Sequence, residues 1–362
     1  MIRTKTTRRG GCAGVPYTRR AFVFGLPTVW LVAATAWELA CPFSSHDGMA
    51  PRFVTCAAFL ALVAYLLTGV RLGPVRELRR IREVARAAEQ VLLRPLPPRL
   101  DGLALAAGQL SASRGATVGG DLYEAVATLH GVRVVIGDVR GHGLAAIGAV
   151  AAILGSFRDA AHDEDTLENV MRRLERALQR HLRDRSRSEH PAVNGADPDN
   201  PLAEEFVTVL LLEIHEDGEV LALNCGHPWP YRLRRTAEPL AGGDPLPPLG
   251  PFPLPADLSA HRCTRLLPGE ALVLHTDGAE DARNADGHFF SLQRALTEAA
   301  ALGSPVSPAV VVQRVHTALL RHTGGRLADD VALLVLRNDR RRVPAQPGDP
   351  ALRRSRAEPS NR

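Results

Sequence analysis

VVIGDVRGHGLAA, residues 134–146, carries an apolar run to a carboxylate and then into a glycine-rich turn. Val134 to Ile136 reads as a buried strand, Gly137 and Asp138 stop it, and Gly141, His142 and Gly143 lead into an Ala-rich helical pattern. Glycines at such a place permit unusual backbone angles or let another group approach the main chain closely. A phosphate, a metal ion or another strand would each use that clearance.

Working outward, the same grammar recurs. Asp121 follows Gly119 and Gly120 at the start of a predicted strand, 121–129, and Asp138 ends the next, 132–138. Asp277, followed by Gly278, ends the strand 270–276, and Asp329 and Asp330 open the strand 329–337. Taken singly, each is a turn residue, which Asp commonly is. A carboxylate is costly to bury unless paired or bound to metal, so four sets at the mouths of apolar strands describe one shared site. Carboxylates without a His or Cys ligand set select hard divalent cations such as Mg²⁺ or Mn²⁺. Further strands are predicted at 103–107, 205–214, 218–224, 229–234 and 261–267, and helices at 143–161, 165–184, 290–302 and 307–322. Residues 183–201 are polar and contain prolines, and read as a mobile insertion. Residues 338–362 read as a disordered tail.

Five segments carry a family resemblance: VGGDLYE, IGDVRGHGLAA, NCGHPWPYRLR, LHTDGAEDARNADGHFF and LADDVALLVLR, spanning residues 118–337. In content and order they resemble the bacterial SpoIIE-type branch of the PPM (PP2C-like) serine/threonine protein phosphatases. The lead-in AAEQVLLRPLPPRLDGLALAAG resembles the segment that precedes such domains. The resemblance implies an α+β fold, an αββα sandwich of two antiparallel sheets flanked by helices, with two Mn²⁺ or Mg²⁺ ions between strand ends. It implies Asp121 and Asp138 as ligands, the Val139 carbonyl beside them, and Asp277 from the Thr-Asp-Gly element; Gly137 and the Gly141–Gly143 turn would then clear space so that Asp138 and the neighbouring main chain can face metal and phosphate. Asp329 is the expected last ligand, with Asp330 in reserve, because the register of the pair is open. The implied activity is hydrolysis of phosphoserine or phosphothreonine by metal-activated water, with no nucleophilic side chain. The implied substrate is a phosphorylated anti-sigma-factor antagonist in stress or developmental signalling. Arg140 stands where the family commonly has Ser, Glu124 where it has Asp, and Cys225 where it has Ala; none of these removes a ligand. Arg140 either contacts the substrate phosphate or reaches solvent, and His142 either gives a proton to the leaving group or makes a structural hydrogen bond. His227, in NCGHP, belongs to a tight strand-to-turn packing element.

Ahead of this domain lie two apolar stretches, 21–40 and 53–70, joined by the polar CPFSSHDGMAPR. As helices of 18–20 residues they would rise about 27–30 Å, the thickness of a bilayer core. Arginines crowd both outer flanks, which places both termini and the catalytic domain in the cytoplasm of a multi-pass cell-membrane protein. TRRAFVFGL also resembles a twin-arginine export signal, but a second apolar span with Arg directly after it argues for retention. Residues 74–93 have apolar positions at helical spacing and an Arg-rich face, and read as a stalk suited to a short coiled coil and hence to a homodimer. The expected organisation is a basic N-terminus (1–20), two membrane helices (21–72), stalk and Pro-rich linker (73–100), phosphatase domain (101–337) and tail (338–362).

The chain carries a net charge of +5, yet Lys5 is its only lysine, so the Arg-rich basic balance reflects codon usage rather than a nucleic-acid surface. The five cysteines have neither metal-site nor disulfide-framework spacing. The competing function is a catalytically silent docking module of the same fold. Retention of every acidic position argues against it.

Overall fold

The computed structural model describes residues 92–112, 119–140, 144–189, 205–301, 303 and 305–340. The chain divides into two compact units, Met1–Ile81 and Arg82–Arg362, and every described residue belongs to the second. The two apolar spans, the stalk as far as residue 91, Gly141–Gly143 with His142, and the tail beyond 340 lie outside the described residues. Among the described residues, no helix is long and apolar enough to cross a membrane.

The elements run β1 (Arg99–Leu100), β2 (Leu103–Leu110), β3 (Asp121–Thr128), β4 (Gly131–Val139), α1 (Leu144–Asp163), α2 (Leu167–Glu189), β5 (Val207–Ile214) and β6 (Glu219–Cys225). They continue with β7 (Tyr231–Leu233), β8 (Ala237–Pro239), β9 (His261–Arg265), β10 (Ala271–His275), α3 (Gly278–Asp281), α4 (Leu292–Ala300), α5 (Pro308–His322) and β11 (Val331–Asn338). One sheet has the order β1-β2-β11-β10-β7-β8 and the other β3-β4-β5-β6-β9. All pairings within them are antiparallel.

Side chains alternate across a strand, and here both faces of each sheet are apolar because both are covered. Val132, Val134 and Ile136 of β4 face Leu272, Leu274, Leu334 and Leu336 of the other sheet, in a core between the two sheets. Val135 and Val139 point the other way and pack with Ile153, Leu154 and Phe157 of α1 and Val170, Met171 and Leu174 of α2. Val273, Val331, Leu333 and Val335 likewise pack on Leu296 of α4 and Val311 and Val315 of α5. Three apolar layers between four structural ones are the αββα sandwich.

Arg133 interrupts the apolar run of β4, yet it is fully buried on the helix side. Its Nε donates to Glu213 Oε2 on the paired strand at 2.6 Å. Its Nη1 donates to the Ala161 and Glu164 carbonyls and its Nη2 to the Asp165 carbonyl. A cation thus meets the carbonyl end of α1, where the helix dipole favours it.

Most element ends shift by one or two residues from the sequence reading, β2 runs on to Leu110, β11 starts at Val331 just after Asp329 and Asp330, and two further differences extend the body. Helix α2 continues to Glu189, into the segment 183–201 read as mobile, because Gln179 and Arg185 anchor its last turns to Gly250 and Glu205. The body also continues past residue 337. Asn338 is buried, its Nδ2 donates to the Leu266 carbonyl at 2.8 Å, and Arg340 donates to Asp101 at 2.8 Å. The short elements β1, β8 and α3 hold too few residues to show a period.

Candidate active site at the strand ends

Antiparallel pairing sets Asp121, the first residue of β3, directly opposite Asp138 near the end of β4. Both carboxylates lie on the face that looks between the sheets, as the alternation of their neighbours requires. In the opposite sheet β10 ends and β11 begins side by side, with His275 opposite Leu333. Thr276–Asp277 and Asp329–Asp330 therefore emerge at the same mouth of the sandwich as Asp121 and Asp138.

The electrostatics show the four sets sharing one field. Burial first, and then Asp138, Asp330 and Asp329, hold the Asp121 carboxyl well above its ordinary range. Burial, followed by Asp277, Asp329 and Asp330, raises Asp138 to about 7. Burial and the charge of Asp329 raise Asp277. Like charges keep such groups apart, and among the described residues no three side chains of the ligating types converge closely enough to hold a metal ion by themselves. The donors are nonetheless the right ones for a hard cation: carboxylate and carbonyl oxygens on strand ends from both sheets, with a charge repulsion that a cation would offset.

Space at the mouth is cleared by particular glycines. A Cβ on Gly120 would lie 2.2 Å from the Val139 carbonyl oxygen and 2.8 Å from Asp138 Oδ1. On Gly119 it would lie 2.4 Å from Asp330 Oδ2, and on Gly278 it would lie 2.1 Å from the Asp330 carbonyl. Gly137 serves a different purpose from the one the sequence suggests. Its absent Cβ makes room for the Thr208 carbonyl of β5, a strand-pairing contact rather than part of the site.

The two members of the Asp329–Asp330 pair differ. Asp330 Oδ1 accepts from the Ala112 N–H at 2.8 Å, and Asp329 Oδ1 accepts from the Asp330 N–H at 2.8 Å. Asp329 is the more exposed and is the neighbour that most raises Asp277 after burial. Val139 holds its place through its N–H, which donates to the Gly120 carbonyl at 3.1 Å.

Hydroxyl and ring groups behind the carboxylates carry no signal in the sequence. Thr276 Oγ1 lies 3.3 Å from Asp121 Oδ2. Thr208 Oγ1 accepts from the Asp138 N–H at 3.2 Å and lies 3.0 Å from His227 Nδ1. His227 is clamped by two bonds with Asn224, one from each backbone group, which makes NCGHP the packing turn its composition suggests. Burial drives His227 down to about 3 and lowers His275 as well, so both rings are neutral at ordinary pH. Burial pushes the Cys225 thiol up to about 12 and Cys263 up to about 11. Neither is a thiolate nucleophile.

Of the departures from the family pattern, Glu124 is structural. It is buried and accepts from Arg158 Nε at 2.8 Å and Nη2 at 2.6 Å, tying β3 to α1. The Arg140 guanidinium lies 5.2 Å from the centroid of the Phe206 ring.

The raised carboxylates have a consequence for stability in metal-free protein. Between the ordinary carboxylate pKa, about 4, and about 7, folded Asp138 binds a proton that the unfolded chain has released. Stability must therefore fall as pH rises through that window, the reverse of a salt-bridged aspartate. In EDTA, thermal unfolding of wild type is expected to move to lower temperature from about pH 4 to about pH 7. Asp138→Asn should flatten that slope and be the more stable protein at pH 7; an unchanged slope would show that Asp138 is ionised throughout.

The family model described as Stage II sporulation protein E (SpoIIE) matches residues 129–339. The match takes in Asp138, Val139, Asp277, Asp329 and Asp330 and begins after Asp121. The fold is similar to the SiaA-PP2C domain of Pseudomonas aeruginosa, with 14% identity and a TM-score of 0.52, covering 74% of this chain and 98% of that one. The RsbU and RsbW domains of Rv1364c from Mycobacterium tuberculosis match with 22% identity and a TM-score of 0.47, over 65% of this chain and 61% of that one. The PP2C phosphatase domain of SpoIIE from Bacillus subtilis, with a fragment of its regulatory domain, matches with 15% identity and a TM-score of 0.47, over 65% of this chain and 63% of that one. The chain thus spans less than two thirds of the length of these last two structures.

Proposed function

The chain belongs to the SpoIIE family of PPM-type protein serine/threonine phosphatases, and from that membership we propose that its sandwich domain hydrolyses phosphoserine and phosphothreonine in a protein substrate with two divalent cations, Mn²⁺ or Mg²⁺. The observation that carries this reading is the meeting of Asp121, Asp138, Asp277 and Asp329 from four strand ends in one electrostatic field. Asp121, Asp138, Asp277 and the Val139 carbonyl would hold the cations. Asp329, the more exposed of the pair and the neighbour that most raises Asp277 after burial, would be the fourth carboxylate, with Asp330 in reserve. When bound, such cations neutralise phosphate oxygens and lower the pKa of water.

The chain's own residues supply placement rather than covalent chemistry. Gly119, Gly120 and Gly278 open the mouth, and the paired strand ends fix the carboxylates at it. Phosphorus is attacked by water, because the described thiols are protonated and the two buried imidazoles are neutral and enclosed.

The substrate in this reading is a phosphorylated anti-sigma-factor antagonist. The setting is the cytoplasmic face of the cell membrane, reached through the two apolar spans at 21–72, with the stalk as the homodimer contact. The silent docking module is disfavoured by the raised carboxylates, since crowding them costs stability at neutral pH and binding alone has no use for it. The test is phosphate release from phosphorylated antagonist by unit 82–362 with EDTA, Mg²⁺ or Mn²⁺. Release that needs the cation supports the enzyme, whereas cation binding without release would favour the docking module.

A further inference from the structure

Thr276 is fully buried at the end of β10, and its hydrogen bonds depart from a regular ladder. Its N–H donates to the Ala332 carbonyl at 3.2 Å, as a paired strand requires. The return bond is not made by its own carbonyl. The Ala332 N–H donates instead to Thr276 Oγ1 at 2.9 Å. The displaced Thr276 carbonyl lies 3.2 Å from His275 Nδ1. The Thr276 hydroxyl has one proton, its oxygen is already an acceptor for Ala332, and the acceptor facing it is Asp121 Oδ2 at 3.3 Å. Toward an ionised Asp121, which can only accept, the hydroxyl is therefore the donor.

We infer that Thr276 is the positioning residue of the cation site: by donating to Asp121 Oδ2 it turns Oδ1 toward the mouth and locks the carboxylate of one sheet to the strand that delivers Asp277 from the other. This deepens the proposed function and rests on it. Asp121 is the most deeply buried of the carboxylates, 3% exposed, and its orientation has no backbone N–H to fix it among the described bonds. A hydroxyl tied to the next strand is a stiffer guide than solvent, and groups that orient ligands in this way typically set metal affinity by about 10–100-fold.

The experiment is Mn²⁺ titration of the full-length chain, with free Mn²⁺ read by its electron paramagnetic resonance signal and folding checked by circular dichroism. Thr276→Val keeps the shape and removes the hydroxyl, and should weaken Mn²⁺ binding about tenfold or more. Thr276→Ser keeps the hydroxyl and should stay within about threefold of wild type, since the same two hydrogen bonds remain. In an Asp121→Asn background, Thr276→Val should change affinity by less than about twofold, because the residue through which it acts is already altered. A Val variant that binds like wild type overturns the inference, as does the same loss in both backgrounds, which would mark a merely structural residue. Where Val does not fold, Thr276→Ala, smaller and equally without a hydroxyl, decides: a loss of about tenfold supports the assignment and binding near wild type overturns it. Wild type that binds no Mn²⁺ would sink the proposed function itself, whereas binding by wild type that ignores position 276 sinks this inference alone.

Discussion

Asp277→Asn is expected to lower phosphatase turnover at least about a hundredfold while leaving the fold intact, since several kcal/mol of transition-state charge stabilisation depend on the cations this carboxylate would hold. The structure separates the two tasks open to Asp277. Its backbone starts α3, with the Glu280 and Asp281 N–H groups both donating to its carbonyl at 2.9 Å. Its side chain makes no capping hydrogen bond to that helix. Asn keeps the backbone role and the size, and removes only the charge. Removing that charge also relieves repulsion on Asp138, for which Asp277 is the largest cause after burial. The metal-free variant should therefore be no less stable than wild type at pH 7, and excess Mn²⁺ should restore part of the rate if the defect is mainly one of affinity. Turnover and Mn²⁺ stoichiometry of the folded variant, measured beside wild type, check this. Full activity with both ions retained would reduce Asp277 to a turn residue and remove it from the site.

The strand-end carboxylates were legible in the sequence for a physical reason. Each stands where an apolar run meets glycine, so its position relative to strand and turn is local information. Their convergence is not local: it follows from β3 pairing with β4, from β10 pairing with β11, and from the two sheets facing each other. The family resemblance supplied the two facing antiparallel sheets, and the core between them bears that much out. Thr276 stayed silent because a threonine ahead of Asp-Gly looks like any strand-end residue, and its partner Asp121 is 155 positions away. The role of Gly137 was misread because a missing Cβ says that something comes close without saying what; here it is the Thr208 carbonyl. Asn338 and Arg340 were placed in a disordered tail because polar and charged residues carry no apolar period. They are held by bonds to Leu266 and Asp101, which composition does not encode.

Arg133 is the residue whose loss should cost most in stability. Arg in a strand reads as a rim or solvent-facing position, but here its side chain is completely enclosed, and Glu213, its partner, is 7% exposed. Removing Arg133 leaves the buried Glu213 with only His215 Nε2, 3.0 Å from its Oε1, beside it, and breaking a buried ion pair typically costs about 3–5 kcal/mol. Arg133→Met, close in length and apolar, is expected to destabilise unit 82–362 by about that amount in urea at pH 7. The double variant Arg133→Met/Glu213→Leu separates the ion pair from the helix end. A buried pair replaced by apolar groups is often close to neutral, so any cost that remains comes from the Ala161, Glu164 and Asp165 carbonyls that lose their donor. That remainder should be about 1–3 kcal/mol, the usual penalty for leaving buried acceptors unpaired. The ordering single worse than double worse than wild type is therefore the specific expectation. A double variant as damaged as the single would place the whole effect at the α1 terminus, and a single variant within about 0.5 kcal/mol of wild type, the range of ordinary surface substitutions, would mean that Arg133 is solvated rather than locked beneath the helix.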